Sequence, residues 1–181
     1  MKKRHTALIV LLALNLAGCP LPIRGRVIDA ETRKPIEGAA VLIECTMTNR
    51  AADSYKVSEV VSDKEGNLDL PGCYIPYARP PIVTIYKKDY VAWNSREIFP
   101  HYDRRSDFEW VYGYEFKLQK FLSAYSYLKH REFIVSFYPP NNKDMLFMSY
   151  YANSENDMVI REQQTLGRSE NWRRPLIINR P

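Results

Sequence analysis

Two spacings of apolar residues divide the chain. From Ile23 to Leu118 apolar and polar positions alternate in short runs separated by turn residues, the period of half-buried strands. After Leu118 the apolar positions spread towards helical spacing. The alternation predicts strands over Ile23–Asp29, Gly38–Thr46, Tyr55–Ser62, Leu68–Leu70 and Ile82–Tyr86, and a last one over Phe108–Leu118. Asp63-Lys64-Glu65-Gly66-Asn67 reads as a hairpin turn with Gly66 at the residue needing positive φ, and Asp63 accepting hydrogen bonds from its own turn. Calcium at Asp63, Glu65 and Asn67 is the other reading of those oxygens, although one turn offers few ligands. Phe121, Leu122, Tyr125, Leu128, Ile134 and Val135 predict an amphipathic helix over Lys120–Phe137, stopped by Pro139-Pro140. Met145–Tyr151 is a further short helical cluster, Met158-Val159-Ile160 a weak one, and the tail from Thr165 reads as loose. Strands with little helix between them predict an antiparallel sandwich carrying a partly helical C-terminal appendage.

Before Ile23 the pattern is different. Lys2, Lys3 and Arg4 precede an apolar run from Ala7 to Leu16, broken only by Asn15, and small residues lead into Cys19. This is the three-part order of an export signal, and the run is too short for a permanent membrane span. Leu16-Ala17-Gly18-Cys19 resembles the lipobox of bacterial lipoproteins. The resemblance implies cleavage between Gly18 and Cys19 and lipidation of the Cys19 thiol, with palmitate-type acyl chains holding the protein to a membrane. A plain secretory signal with a fortuitous cysteine is the alternative. Pro20 is not the Asp associated with inner-membrane retention, which favours the outer membrane in a cell that has one.

A second resemblance covers residues 22–118. Gly25, Val27, Asp29, Pro35, Gly38, Ala39 and Val41 resemble the opening G-x-V-x-D, Pro, G-A-x-V pattern of carboxypeptidase regulatory-like domains. Ser62-Asp63-Lys64-Glu65-Gly66-Asn67-Leu68 is similar to their following turn, with Ser for Thr and Leu for Phe. Ile85–Tyr90 is similar to their later V-x-x-x-G-Y, with Asp89 in the Gly slot, a residue that tolerates left-handed backbone. The resemblance implies a transthyretin-like β-sandwich. Residues 1–18 are then a lipoprotein signal peptide, 19–118 the sandwich and 119–181 the appendage. The stretch between Trp93 and Phe108, with Pro100, His101, Arg104 and Arg105, is longer than the family's usual connection and reads as a surface loop.

With Cys19 lipidated, Cys45 and Cys73 remain, either as a disulfide in an oxidising compartment or as two buried thiols. A metal site is not expected, because no C-x-x-C occurs and His101 and His130 lie far from both cysteines. No cofactor motif, nucleophile elbow, zincin signature or P-loop is present, and neither His101 nor His130 stands in a catalytic signature, so both read as surface or packing residues. Glu155/Asp157 and Asp63/Glu65 are commonplace carboxylate pairs. The formal charge of +5 falls to +2 once the three basic residues of the leader are set aside, too little for nucleic-acid binding. Arg161, Arg168, Arg173, Arg174 and Arg180 make the last stretch locally basic, a solvated tail or a contact with anionic lipid or wall polymer.

Aromatic residues make up 13% of the chain. Phe108, Trp110, Tyr112 and Tyr114 share one alternating face, read as core, whereas Trp93 and Tyr102 in the expected loop are the aromatics placed to touch a ligand. The expected function is a membrane-anchored, non-catalytic binding or protein-interaction module of the cell envelope, exposed to periplasm or exterior, with another envelope protein or a surface polymer as partner. A carbohydrate-binding module is the alternative, and an unrecognised enzyme centred on His130 and Glu132 of the appendage is a third.

Overall fold

In the computed structural model of the protein, residues 23–47, 54–70, 72–73, 80–138 and 146–166 are described; the leader, Gly18, Cys19 and the tail beyond Leu166 lie outside them. Strands β1 (Ile23–Asp29), β4 (Asn67–Leu70) and β9 (Tyr114–Leu118) form one sheet in the order β4-β1-β9. Strands β2 (Ala40–Thr46), β3 (Ser54–Val61), β5 (Ile82–Tyr86) and β6 (Trp93–Asn94) form a second in the order β3-β2-β5-β6. All pairings are antiparallel except β1 with β9, which is parallel. A small hairpin, β7 (Glu97–Ile98) and β8 (Asp103–Arg104), follows β6. The chain is thus mainly β, a sandwich with a helical C-terminal part made of α1 (Tyr127–Ser136) and α2 (Leu146–Thr165).

The four-stranded sheet is the middle of three layers. Successive side chains of a strand point to opposite faces, and every described residue of β2 and β5 is buried, so both faces of this sheet are covered. Val41, Ile43, Val83 and Ile85 meet Val27, Leu68, Leu70, Phe116 and Leu118 of the three-stranded sheet. Ala40, Leu42 and Tyr86 face the other way, onto Phe133, Ile134, Phe137, Phe147 and Tyr151 of the helices. Buried apolar side chains of this size contribute ~1.5–3 kcal/mol each, so the central sheet carries a core on each face, one shared with the three-stranded sheet and one with the helices.

The helices differ from expectation in their bounds. The N–H of Phe121 bonds the Asp89 carbonyl (2.9 Å) and Lys120 bridges to Tyr90, which keeps residues 119–121 extended against residues 89–91. Helix α1 therefore starts only after Ser126, whose hydroxyl accepts from the N–H of Lys129 (3.1 Å). Helix α2 is one continuous twenty-residue element in place of two short clusters. Phe147, Tyr151, Glu155 and Val159 recur every fourth residue and are all buried, and the carboxylate in that stripe hides its period in the sequence.

The last strand is also shorter than expected. Gly113 has φ +76° and Tyr112 is 71% exposed, so alternation stops there and only Tyr114–Leu118 is strand. Phe108, Trp110 and Tyr114 still pack on the inter-sheet core, as their common face predicted, whereas Tyr112 does not. The stretch after Trp93 is not a plain surface loop. Trp93 and Asn94 add an edge strand, and the hairpin that follows leaves His101 exposed.

The motif residues have structural tasks. Asp29 accepts from the N–H groups of Glu31 (3.0 Å) and Thr32 (2.8 Å) and from the Tyr90 hydroxyl (2.9 Å), closing the turn after β1. Asp63 accepts from the N–H of Asn67 (2.7 Å), and Gly66 has φ +78°. A Cβ on Gly66 would run into the Val27 carbonyl oxygen, so no other residue fits. Asp89 takes the left-handed conformation at φ +69°. Cys45 and Cys73 form a disulfide with Cα atoms 5.5 Å apart. It ties β2 of the central sheet to the segment just after β4 of the outer one. The N–H of Thr32, then the Tyr90 hydroxyl and the N–H of Glu31, hold the Asp29 carboxyl at about 2 against the opposing effect of burial.

A lowered carboxyl pKa adds stability above the unfolded value of 3.8 and gives it back as the folded form protonates near 2. The stability gap between wild type and Asp29→Asn is therefore full at about pH 5 and closes towards pH 2, read from urea unfolding across that range. The disulfide closes a loop of 28 residues. Cys73→Ser is expected to lower stability by about 3–4 kcal/mol in non-reducing denaturant titrations, and wild type in reductant should match it.

Candidate functional site

Where α1 crosses the central layer, two titratable side chains are sealed inside. His130 is fully buried on α1 and Glu155 is 2% exposed on α2. The imidazole Nδ1 lies 3.1 Å from Glu155 Oε2, and Nε2 accepts the backbone N–H of Ala92 (2.8 Å). Because the Ala92 amide can only donate, Nε2 keeps a lone pair and the proton sits on Nδ1, directed at Glu155. Both ring nitrogens are thereby used. This histidine has no atom left to take a proton from a substrate or to bind a metal, although a histidine beside a carboxylate is the arrangement from which a general base is made. The pair ties α1, α2 and the segment entering β6 to one another.

The same layer holds other buried polar groups. Burial pushes the Tyr86 phenol well above its usual range, and the negative charge of Glu155 adds to the effect; the Tyr151 phenol is raised chiefly by burial too. Glu44, on the helix-facing side of β2, is fully buried and accepts from the Ser54 hydroxyl (3.0 Å). Burial raises its carboxyl to about 7, with Ser54 and Arg96 pulling the other way. At the far end of the helix pair Glu162 of α2 accepts from the Ser126 hydroxyl (2.5 Å) and the N–H of Leu128 (3.1 Å), compensating the N-terminal end of α1. The N–H of Phe147 donates to Glu59 of β3 (2.6 Å). These contacts fix the two helices antiparallel on the sheet.

An open cleft among the described residues lies at the edge of the sandwich, where β6 and β9 approach one another, and its lining residues Val91, Ala92 and Phe99 also pack against the helical layer. The cleft, of about 700 Å3, runs between residues 91–99 and β9, roofed by the 105–113 segment. Its walls carry apolar surface from Ile98, Phe99 and Val111 and charges of both signs on Arg105, Asp107, Glu115 and Lys117. Ile98 and Val111 are 36% and 52% exposed, and Tyr112 beside them is the most exposed large apolar side chain among the described residues. Arg105 sits 4.5 Å over the Trp93 ring, donates to the Asn94 carbonyl (2.6 Å) and pairs with Asp107 (3.1 Å), so it braces the cleft floor.

The residues singled out in the sequence fall in different places. Trp93 is not an exposed contact: it is 5% exposed, wedged between Phe108 and Phe116 with ring centroids 5.1 and 5.0 Å away. Its indole plugs the open edge of the sandwich and lines the cleft from below, which corrects its expected exposure in a loop but leaves it at the cleft. Tyr102 is 42% exposed at the tip of the β7–β8 hairpin, on the helical side against Phe133 and away from the cleft lining. His130 is a packing residue, but its partnership with Glu155 was invisible in the sequence, where the two stand 25 positions apart on separate elements. A histidine and a glutamate each falling in an apolar stripe is the one signal that points to it. Among the described residues no group of three His, Cys, Asp or Glu side chains is placed to hold a metal ion, and no helix is long and apolar enough to cross a membrane.

No protein-family model matches the chain, and no curated protein does. Among solved structures it is similar to catechol 1,2-dioxygenase from Pseudomonas arvilla C-1, with 16% identity over 60% of this chain and 56% of that one, at a TM-score of 0.34. It is also similar to a 9R-lipoxygenase from Cyanothece PCC8801, with 12% identity over 93% of this chain and 29% of that one, at a TM-score of 0.30. The chain spans little more than half the length of the first and under a third of the second. At these TM-scores neither likeness bears on what the protein does.

His130→Ala strands the Ala92 amide and the Glu155 carboxylate in the interior, and is expected to cost ~3–5 kcal/mol in denaturant unfolding. Glu155→Gln keeps an acceptor for the Nδ1 proton and should cost less than half of that. Equal losses for the two variants would contradict the assigned tautomer.

Proposed function

We propose that the protein is a membrane-anchored lipoprotein of the cell envelope whose β-sandwich acts as a non-catalytic binding or interaction module. The address rests on the leader and on Leu16-Ala17-Gly18-Cys19, which resembles a lipobox and makes Cys19 the lipid-bearing first residue. The resemblance of residues 22–118 to carboxypeptidase regulatory-like domains supports an accessory module rather than an enzyme core. The observation that carries the binding reading is the edge cleft: it combines exposed apolar side chains with charges of both signs, between β9 and the segments 91–99 and 105–113. The His130–Glu155 pair is closed to solvent with both ring nitrogens engaged, which supports reading it as a structural tie between the helices.

Two variants of the full chain in its native envelope test this reading. Wild type should fractionate with membranes, and Cys19→Ser should appear in the soluble fraction or accumulate with its leader uncleaved; unchanged membrane association in Cys19→Ser would refute the lipid tether. Val111→Asp, on the cleft rim, should lose co-purifying envelope components while retaining the wild-type unfolding midpoint. Retention of every component would remove the cleft as the binding surface.

A further inference from the structure

Strand β1 begins four residues after Cys19. An extended chain advances at most about 3.6 Å per residue, so the Ile23 end of β1 can stand no more than about 14 Å from a lipid-bearing Cys19. The strand pairings show what else lies at that end. Ile23 pairs with Leu70 at the close of β4, and Cys73, three residues on, is joined to Cys45 near the close of β2. Thr46 in turn pairs with Ser54 at the opening of β3. Strand β9 runs parallel to β1, and the N–H of Gly113 donates to the Arg24 carbonyl (2.8 Å), which brings the 110–113 segment to the same end. The 31–35 turn after β1 and the 63–67 turn between β3 and β4 lie at the opposite end.

The two ends differ in what they present to solvent. At the Ile23 end Tyr112, Val111, Met47 and Tyr55 are 71%, 52%, 50% and 37% exposed. The Tyr112 hydroxyl lies against the Arg24 guanidinium, which also pairs with Asp69 (3.1 Å). At the opposite end the two turns present Glu31, Arg33, Lys34, Asp63, Lys64 and Glu65. A tyrosine has an apolar ring and a polar tip, and beside a basic side chain it suits the boundary between water and lipid.

We propose that the Ile23 end of the sandwich rests in the interfacial layer of the bilayer that holds the tether, with Tyr112, Val111, Met47 and Tyr55 in contact with lipid. The length of the tether singles out this occupant. A folded domain of 100 residues has a radius of gyration of about 13 Å, so no second protein fits between this end and the membrane. The Arg24–Asp69 pair leaves the patch without a strong charge of one sign, so the contact is with the apolar and zwitterionic groups of the bilayer. This inference rests on the reading of Cys19 as the lipid-bearing residue. It orients the cleft as well: Val111 sets one mouth at the lipid surface, and the Ala30 and Gln119 side faces away from it.

The acylated full chain in phosphatidylcholine vesicles tests the proposal. With Cys19 acylated and Cys45 joined to Cys73, a single introduced cysteine alone takes an environment-sensitive fluorophore. Labels at Tyr112→Cys and Met47→Cys, neither of which lines the cleft, should shift to the blue on vesicles. They should be quenched by nitroxide lipid and protected from aqueous iodide. A label at Lys64→Cys should show the reverse. Tyr112→Asp combined with Met47→Asp should return a label at Tyr55→Cys to water, with the unfolding midpoint and the membrane fraction unchanged. Labels at positions 112 and 47 as open to iodide as the one at position 64, or a label at position 55 indifferent to the double variant, would overturn the docking and leave the tether standing. Membrane association unchanged in Cys19→Ser would overturn the tether, and the docking with it.

Discussion

A sheet buried on both faces cannot be satisfied by one neighbouring layer. Every described side chain of β2 and β5 is withdrawn from water, so the sandwich partner covers one face and something else must cover the other. The antiparallel helices α1 and α2 supply that cover, with Phe133, Phe147 and Tyr151 over Ala40, Leu42 and Tyr86. The C-terminal segment is thus an integral third layer.

Covering a sheet with helices creates its own difficulty, because a helical stripe that carries His130 and Glu155 brings polar atoms into the seam. The structure resolves it by exhausting their hydrogen-bonding capacity. The Ala92 amide takes one imidazole nitrogen and Glu155 the other. A buried pair of this kind adds little net stability over an apolar pair, yet it penalises any other placement of the helices. It fixes register where Leu and Phe alone would tolerate sliding. Glu162 and Glu59, at the N-terminal ends of α1 and α2, do the same at the helix termini.

The accessible face of the molecule is where the sandwich remains open. Trp93, Phe108, Trp110 and Tyr114 fill the gap between β6 and β9 with edge-to-face contacts, and the cleft is what that plug leaves unfilled. Rigid aromatic packing beneath and brace contacts from Arg105 hold its walls at fixed separation. An export leader ending in Leu16-Ala17-Gly18-Cys19 would place this surface at a membrane, and recognition by a tethered rigid edge is a coherent role for such a chain.

Local pattern was sufficient for much of this. Alternation and turn chemistry located β1 to β5 nearly to the residue, because Gly66, Asp63 and Asp89 act on their own neighbours. The paired cysteines also agreed with their count. What sequence alone could not yield depended on distant partners. Residues 120–125 have helical spacing but are held extended by Asp89 and Tyr90. The continuity of α2 was masked by Glu155, whose burial makes sense only once His130 stands opposite. Trp93 read as a loop aromatic because nothing near it in sequence shows that β5 will recruit it as an edge strand. Short-range periodicity thus determined the strands and the turns, since those depend on residues a few positions apart. Only the tertiary structure decided which faces were buried twice, which polar side chains met in the seam and which edge stayed open, since those depend on contacts between segments far apart along the chain.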